Sequence, residues 1–139
     1  MKKIEVKENV DLLCSPVPTF PNGINEAFDA LAEKFPPENG RSFFGISYMN
    51  DSGKIIYKVA AQKINKDEGK SDGYEKFTLP KGEYLSEKIE DWKHHLDEIA
   101  STFQHLMKES AMDMQFPCIE WYKTREEMLC MVKAKENNT

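Results

Sequence analysis

Residues 116–134 read FPCIEWYKTREEMLCMVKA. Apolar and polar residues alternate on both sides of a short charged stretch, the pattern of two half-buried strands joined by a tight turn. Glu120 stands inside the first of these strands, between Ile119 and Trp121. Residues two apart share a strand face, so Glu120 and Tyr122 point one way while Ile119 and Trp121 point the other. Two environments fit this pattern. One is bulk solvent beside an edge strand, with Ile119 and Trp121 turned to the core. The other is a ligand pocket that needs a negative charge. A desolvated carboxylate there would have a raised pKa and would be costly to ionise unless a cation met it.

The rest of the composition bounds the alternatives. A chain of 139 residues suits one domain with a sizeable core. The net charge is −5, from 24 acidic and 19 basic residues, with no cluster of Lys and Arg. That argues against direct nucleic-acid binding, which needs a basic face to neutralise phosphates. Cys14, Cys118 and Cys130 are odd in number, far apart and form no CxxC. Reduced thiols in a cytoplasmic protein are the expectation. The start, MKKIEVKENV, has no apolar core of signal-peptide length. No stretch approaches the roughly 20 apolar residues that span a bilayer, so no membrane association is expected.

Working back towards the N-terminus, the elements follow a simple order. KKIEVKENVDLLC alternates, with a slip, and reads as one bulged strand. SPVPTFPNG holds three prolines and excludes a helix or a central strand. In INEAFDALAEKF, Ile24, Phe28, Leu31 and Phe35 recur at helical spacing, with Asn22 or Asn25 as cap and Pro36-Pro37 as terminator. RSFFGISYM and KIIYKVAAQKI form a hairpin turning at NDSG. NKDEGKSDG, residues 65–73, reads as a mobile loop. LPKG is a turn with extended chain on both sides. EDWKHHLDEIASTFQHLMKES is the strongest helix: Trp92, Leu96, Ile99, Phe103, Leu106 and Met107 lie on one stripe, and Glu90 and Asp91 suit its N-terminal end.

The order of elements occurs twice, in residues 1–64 and in residues 74–134, with 65–73 as linker. The expected fold is therefore α+β, with two βαββ repeats related by a pseudo-twofold. A single βαββ unit leaves its sheet edges bare, and two such units can pair edge to edge with both helices on one face. The opposite face, concave across the seam, is where a small molecule is expected to fit.

Four stretches, FFGISYMNDSGKIIYKVA, FTLPKGEYLSEKIE, WKHHLDEIASTFQHLM and PCIEWYKT, resemble the GyrI-like small-molecule-binding domain. This is the effector-binding domain of AraC-type and MerR-type transcription regulators, and it also occurs alone. The resemblance covers about residues 40–134, and the first forty match in element order only. It implies that the glutamate of a Glu-x-Tyr strand, here Glu120 with Tyr122, projects into a pocket whose aromatic side chains stack on flat and often cationic compounds. The sequence departs from the family in a short segment before the last hairpin, which lacks a tryptophan-proline signature, and in the SPVPTFPNG loop.

Besides Glu120 and Tyr122, the candidate ligand residues are Tyr48 and Tyr57, which flank the first hairpin turn, Phe44 on the face of Tyr48, and Trp92 at the helix start. Core or cross-strand packing is the alternative for Phe44 and Trp92. A desolvated cation–π contact contributes about 0.5–2 kcal/mol. His94 and His95 point about 100° apart on a helix, and His105 lies further along, so no metal site is expected. Gly69-Lys70-Ser71 has the ending of a phosphate-binding loop, but Ile64 stands where its first glycine belongs.

The function that follows from the resemblance is that of a standalone module binding a small amphipathic or cationic organic molecule, with no cofactor. Its role would be effector binding or sequestration, with a regulator or gyrase as the protein partner. The alternative is a small hydrolase of reactive electrophiles with Glu120 as general base.

Overall fold

The computed structural model describes residues 2–20, 22–37, 40–66, 68, 73–109, 112–113, 116–123 and 126–135, apart from the side chains of residues 93 and 96. Among them the alternating runs become eight strands: β1 (Lys2–Val6), β2 (Val10–Pro16), β3 (Phe43–Met49), β4 (Ile55–Gln62), β5 (Glu75–Leu79), β6 (Gly82–Glu90), β7 (Cys118–Tyr122) and β8 (Glu127–Lys133). All join one curled antiparallel sheet in the order β1-β6-β8-β7-β3-β4-β2-β5. Two helices, α1 (Ile24–Lys34) and α2 (Leu96–Met107), complete the α+β fold.

The strand order reads the same from both ends. β3 and β7 meet at the centre, with Gly45 opposite Glu120 and Ile46 opposite Ile119. Outwards from them come β4 and β8, then β2 and β6. The outermost strands are exchanged: β1, which precedes β2 in the chain, pairs with β6, whereas β5, which precedes β6, pairs with β2. The slip in KKIEVKENVDLLC is therefore a change of partner rather than a bulge. Lys7, Glu8 and Asn9 carry the chain from one end of the sheet to the other, and the Asn9 side chain accepts the Lys81 amide at 2.8 Å.

Both helices cover one sheet face. α1 lays Ile24, Phe28 and Leu31 on Leu13, Tyr57, Val59 and Ala61, while α2 sets Ile99, Phe103 and Leu106 against Leu85, Met128, Cys130 and Val132. Residues one register step away fill the reverse face with a second core that includes Leu12, Phe44, Tyr84, Ile119 and Met131. Each fully buried side chain of this size contributes about 1.5–3 kcal/mol relative to exposure.

The helix ends differ from the sequence reading. Gly23, at φ 90°, stands at the N-terminus of α1, and neither Asn22 nor Asn25 caps it. A left-handed residue is cheap only for glycine, which decides the position. At the other end the Phe35 amide still reaches the Leu31 carbonyl at 2.7 Å, and Pro36-Pro37 stops further turns. The second helix is shorter than its apolar stripe suggests. Glu90 belongs to β6, Asp91 is left-handed at φ 53°, and Trp92–His94 form a separate 3-10 turn. Local pairs compete with helical continuity there: His94 with Asp91 and His95 with Glu98, each at 2.8 Å. Asp97 and Glu98, not Glu90 and Asp91, occupy the first turn of α2. Met107 is exposed, and the Leu96 side chain lies outside the described residues. So does most of the 65–73 loop, including Gly69, Lys70 and Ser71. No helix among the described residues is long and apolar enough to cross a membrane.

Candidate functional site

The central pair of strands carries the one carboxylate in the described core. Glu120 is 8% exposed and points to the helix-bearing face, above the seam between the two halves of the sheet. The sequence reading set the groove on the opposite face. Strand alternation turns Glu120 to the other side: it shares its face with Tyr122, Gly45 and Tyr57, and this is the face that α1 and α2 cover.

Gly45 lets the site assemble. Tyr57 on β4 and Glu120 on β7 lie on either side of β3, and their side chains meet above Gly45. A Cβ at Gly45 would collide with the Tyr57 hydroxyl and with Glu120 Oε1. With glycine there, the Tyr57 hydroxyl donates to Glu120 Oε1 at 2.6 Å and the Tyr122 hydroxyl donates to the same oxygen at 2.7 Å. The two hydroxyls lie 3.3 Å apart. Both phenols converge on Oε1, and the described residues give Oε2 no hydrogen bond.

Rings from both halves enclose this triad. Phe20, from the proline-rich loop, stacks on Tyr57 with centroids 4.8 Å apart and planes 14° apart. Phe28 of α1 meets Tyr122 edge-on at 5.1 Å, and Trp92 of the 3-10 turn meets it from the α2 side at 4.9 Å. Phe20, Phe28 and Trp92 are each half-buried, so they form the outer layer between the carboxylate and water.

The electrostatics follow from this enclosure. Burial pushes the Glu120 carboxyl above its ordinary value of 4.5, and the two phenol hydrogen bonds offset only part of that push. Tyr57 and Tyr122 are raised as well, first by burial and then by the negative charge of Glu120. The phenols thus remain donors. Cys118, on the same face, is pushed up to about 11, mainly by burial and further by Glu120. Cys14, on the reverse face, is pushed up to about 12, again mainly by burial. Such thiols stay protonated and are poor nucleophiles.

Of the residues singled out in the sequence, Glu120, Tyr122, Tyr57 and Trp92 come together. Phe44 and Tyr48 do not. They occupy alternate positions to Gly45, which turns them to the reverse face. Phe44 is buried there and stacks on Trp121 at 6.0 Å. Tyr48 is 40% exposed, with the Lys58 ammonium 5.5 Å from its ring centroid. Three members of the site escaped sequence reasoning. Phe28 reads in the sequence only as part of a helix stripe, and Phe20 sits in a loop without periodicity. Gly45, alone inside a strand pattern, did carry a signal, because such a glycine marks a close approach. Among the described residues, no group of three His, Cys, Asp or Glu side chains is placed to hold a metal.

No protein-family model matches this chain, and no curated protein sequence does. Solved structures do match. SAV2435 bound to tetraphenylphosphonium superposes with a TM-score of 0.71 at 13% identity, over 96% of this chain and 93% of that one. A Staphylococcus aureus MU50 protein assigned provisionally to bacterial transcription regulation has a TM-score of 0.63 at 11% identity, covering 97% of both chains. A hydrolase from Listeria innocua has a TM-score of 0.57 at 10% identity, over 96% of this chain and 90% of that one. At these identities the likeness is one of fold.

Proposed function

We propose that this chain is a GyrI-like domain, residues 1–139, that binds an amphipathic or cationic organic molecule between α1 and α2 with Glu120 as its counter-charge. The observation that carries the reading is the company of Glu120. A carboxylate at 8% exposure receives two neutral phenols on one oxygen, and no Lys or Arg among the described residues pairs with it. An ionised group so placed is costly until a positive charge arrives. Oε2 is the oxygen left for that charge. Tyr57, Tyr122, Phe20, Phe28 and Trp92 supply ring faces, each cation–π contact contributing about 0.5–2 kcal/mol once water is excluded.

The half-buried outer rings must swing aside for entry. Phe20 belongs to an irregular loop and Trp92 to a 3-10 turn flanked by a left-handed residue, so both stand on segments with few ladder bonds to break. The shared fold of a protein that binds tetraphenylphosphonium supports the choice of ligand class. In this reading the domain senses or sequesters its ligand and acts through another protein.

Calorimetric titration with tetraphenylphosphonium tests it. The expected result is one-to-one binding that falls at least about tenfold in Glu120→Gln, the loss of a single charge contact of about 1.4 kcal/mol. Equal binding by both proteins refutes the counter-charge. A second reading, hydrolysis of a reactive electrophile, draws on the raised carboxyl pKa of Glu120, which suits a general base, and on the hydrolase that shares the fold. Turnover of an epoxide or activated ester, lost in Glu120→Gln, distinguishes it from binding alone.

A further inference from the structure

The reverse face of the sheet carries a feature that owes nothing to Glu120. β1 is an outer strand. One of its edges pairs with β6, from Lys2 opposite Ser86 to Val6 opposite Gly82, and its other edge has no ladder partner among the described residues. β1 and the segment that follows it line a cleft of about 600 Å³. Residues 4 to 8 all line it, one after another. Ile4, Glu5 and Val6 of this run belong to β1. Side chains of a strand alternate between faces, so a wall that includes three successive strand residues is built in part from main chain. Trp121, Leu129 and Val10 give the cleft an apolar lining, and Lys123 stands at its rim with its ammonium 4.9 Å from the centre of the Trp121 ring. Near the other outer strand, β5, lies a smaller depression of about 70 Å³, lined by Cys14, Phe77 and Lys58 among others.

We propose that β1 accepts an extended peptide as an added antiparallel strand, laid in this cleft. Main-chain donors and acceptors beside an apolar floor are what strand addition requires: the backbone supplies affinity and alternate side chains supply choice. The residues of β1 fix that choice. Ile4 and Val6 pack towards the reverse-face core, while Lys3 and Glu5 are exposed. An antiparallel partner meets Glu5, then Ile4, then Lys3 as it runs from N to C. Cross-strand pairs favour opposite charges and disfavour like ones. The fitting segment therefore reads basic, apolar, acidic, with its apolar residue lying beside Ile4 over the floor of the cleft. The exposed Lys2, Lys3 and Glu5 of β1 also explain why the edge does not pair indiscriminately, since charges on an edge strand discourage unselective addition.

The probe is the blocked hexapeptide TKIEVT, compared with its charge-reversed counterpart TEIKVT, added to the full chain and followed by calorimetry and hydrogen exchange. The expected result is saturable one-to-one binding of TKIEVT, with slowed exchange at amides of β1 and none at β5. TEIKVT binds about tenfold more weakly, the sum of two cross-strand pairs reversed. The double variant Lys3→Glu, Glu5→Lys, both exposed and so compatible with folding, inverts the preference. Failure of TKIEVT to saturate at millimolar concentration overturns the proposal, as does equal binding of the two peptides or protection at β5. A dimer held through β1 that the peptide does not dissociate also overturns it, because the occupant is then a second copy of the chain.

Discussion

The Tyr57 hydroxyl lies 2.6 Å from Glu120 Oε1, although 63 residues separate them in sequence and strand β3 lies between their own strands. The contact exists because β3 presents Gly45 beneath it. A buried carboxylate, two phenols and a missing Cβ therefore form one unit, and altering any member should be felt by the others.

Glu120→Gln should stabilise the protein at neutral pH. The folded-state pKa of Glu120 is raised, so its ionisation penalises the folded state more than the unfolded one. Below the ordinary value of 4.5 both states are protonated and no penalty exists. As pH rises from there through the folded pKa, stability is lost. The variant should lack this loss. Thermal melts of both proteins at pH 4 and pH 8 check it: the gain should be small at the lower pH and larger at the higher.

Tyr57→Phe should act in the opposite direction. The ring and its stacking on Phe20 remain, but one of the two donors to Oε1 goes. Loss of a hydrogen bond to a charged group costs about 1.5–3 kcal/mol. Urea titration at neutral pH should show a loss in that range, shrinking in acid where Glu120 is protonated.

Gly45→Ala should destabilise the fold out of proportion to its single methyl. The new Cβ would occupy the space of the Tyr57 hydroxyl and Glu120 Oε1. Overpacking of a tight site costs about 1–3 kcal/mol. Combining it with Tyr57→Phe should recover part of the loss, which a double-mutant cycle of urea midpoints would reveal.

Glu68 governs a different pH window. Its carboxylate receives both terminal nitrogens of Arg41, at 3.0 and 2.7 Å, and the amides of Ile64 and Asn65. These bonds, those from Arg41 foremost, hold its pKa down to about 2, against an ordinary 4.5. A depressed folded pKa gives stability that is present above 4.5 and lost as pH falls through about 2. Glu68→Gln should flatten the stability profile between those limits and leave its shape at neutral pH unchanged, as read from acid titration of the folded signal.

Much of this architecture was legible in the sequence because local rules agreed with the global fold. The 43–62 hairpin follows from alternation around NDSG, and the structure adds that the Asn50 side chain accepts the amides of Ser52 and Lys54. The pairing of Glu120 with Tyr122 followed from the strand period alone. What stayed hidden was non-local. Which sheet face the helices cover depends on the chain's return path, not on any local pattern, so the side of the sheet to which Glu120 turns was not legible. The break between Trp92 and Leu96 was masked by an apolar stripe that runs through it unbroken. The division of the first thirteen residues into two strands depends on partners in β6 and β4, about fifty or more residues away in sequence.

The crossed placement of β1 and β5 makes each half a lender to the other. Cut between them, either piece would give up a strand that flanks the sister piece and would lose its own in return. Such a chain should melt as a whole or not at all, and its separated halves should regain order only by finding each other.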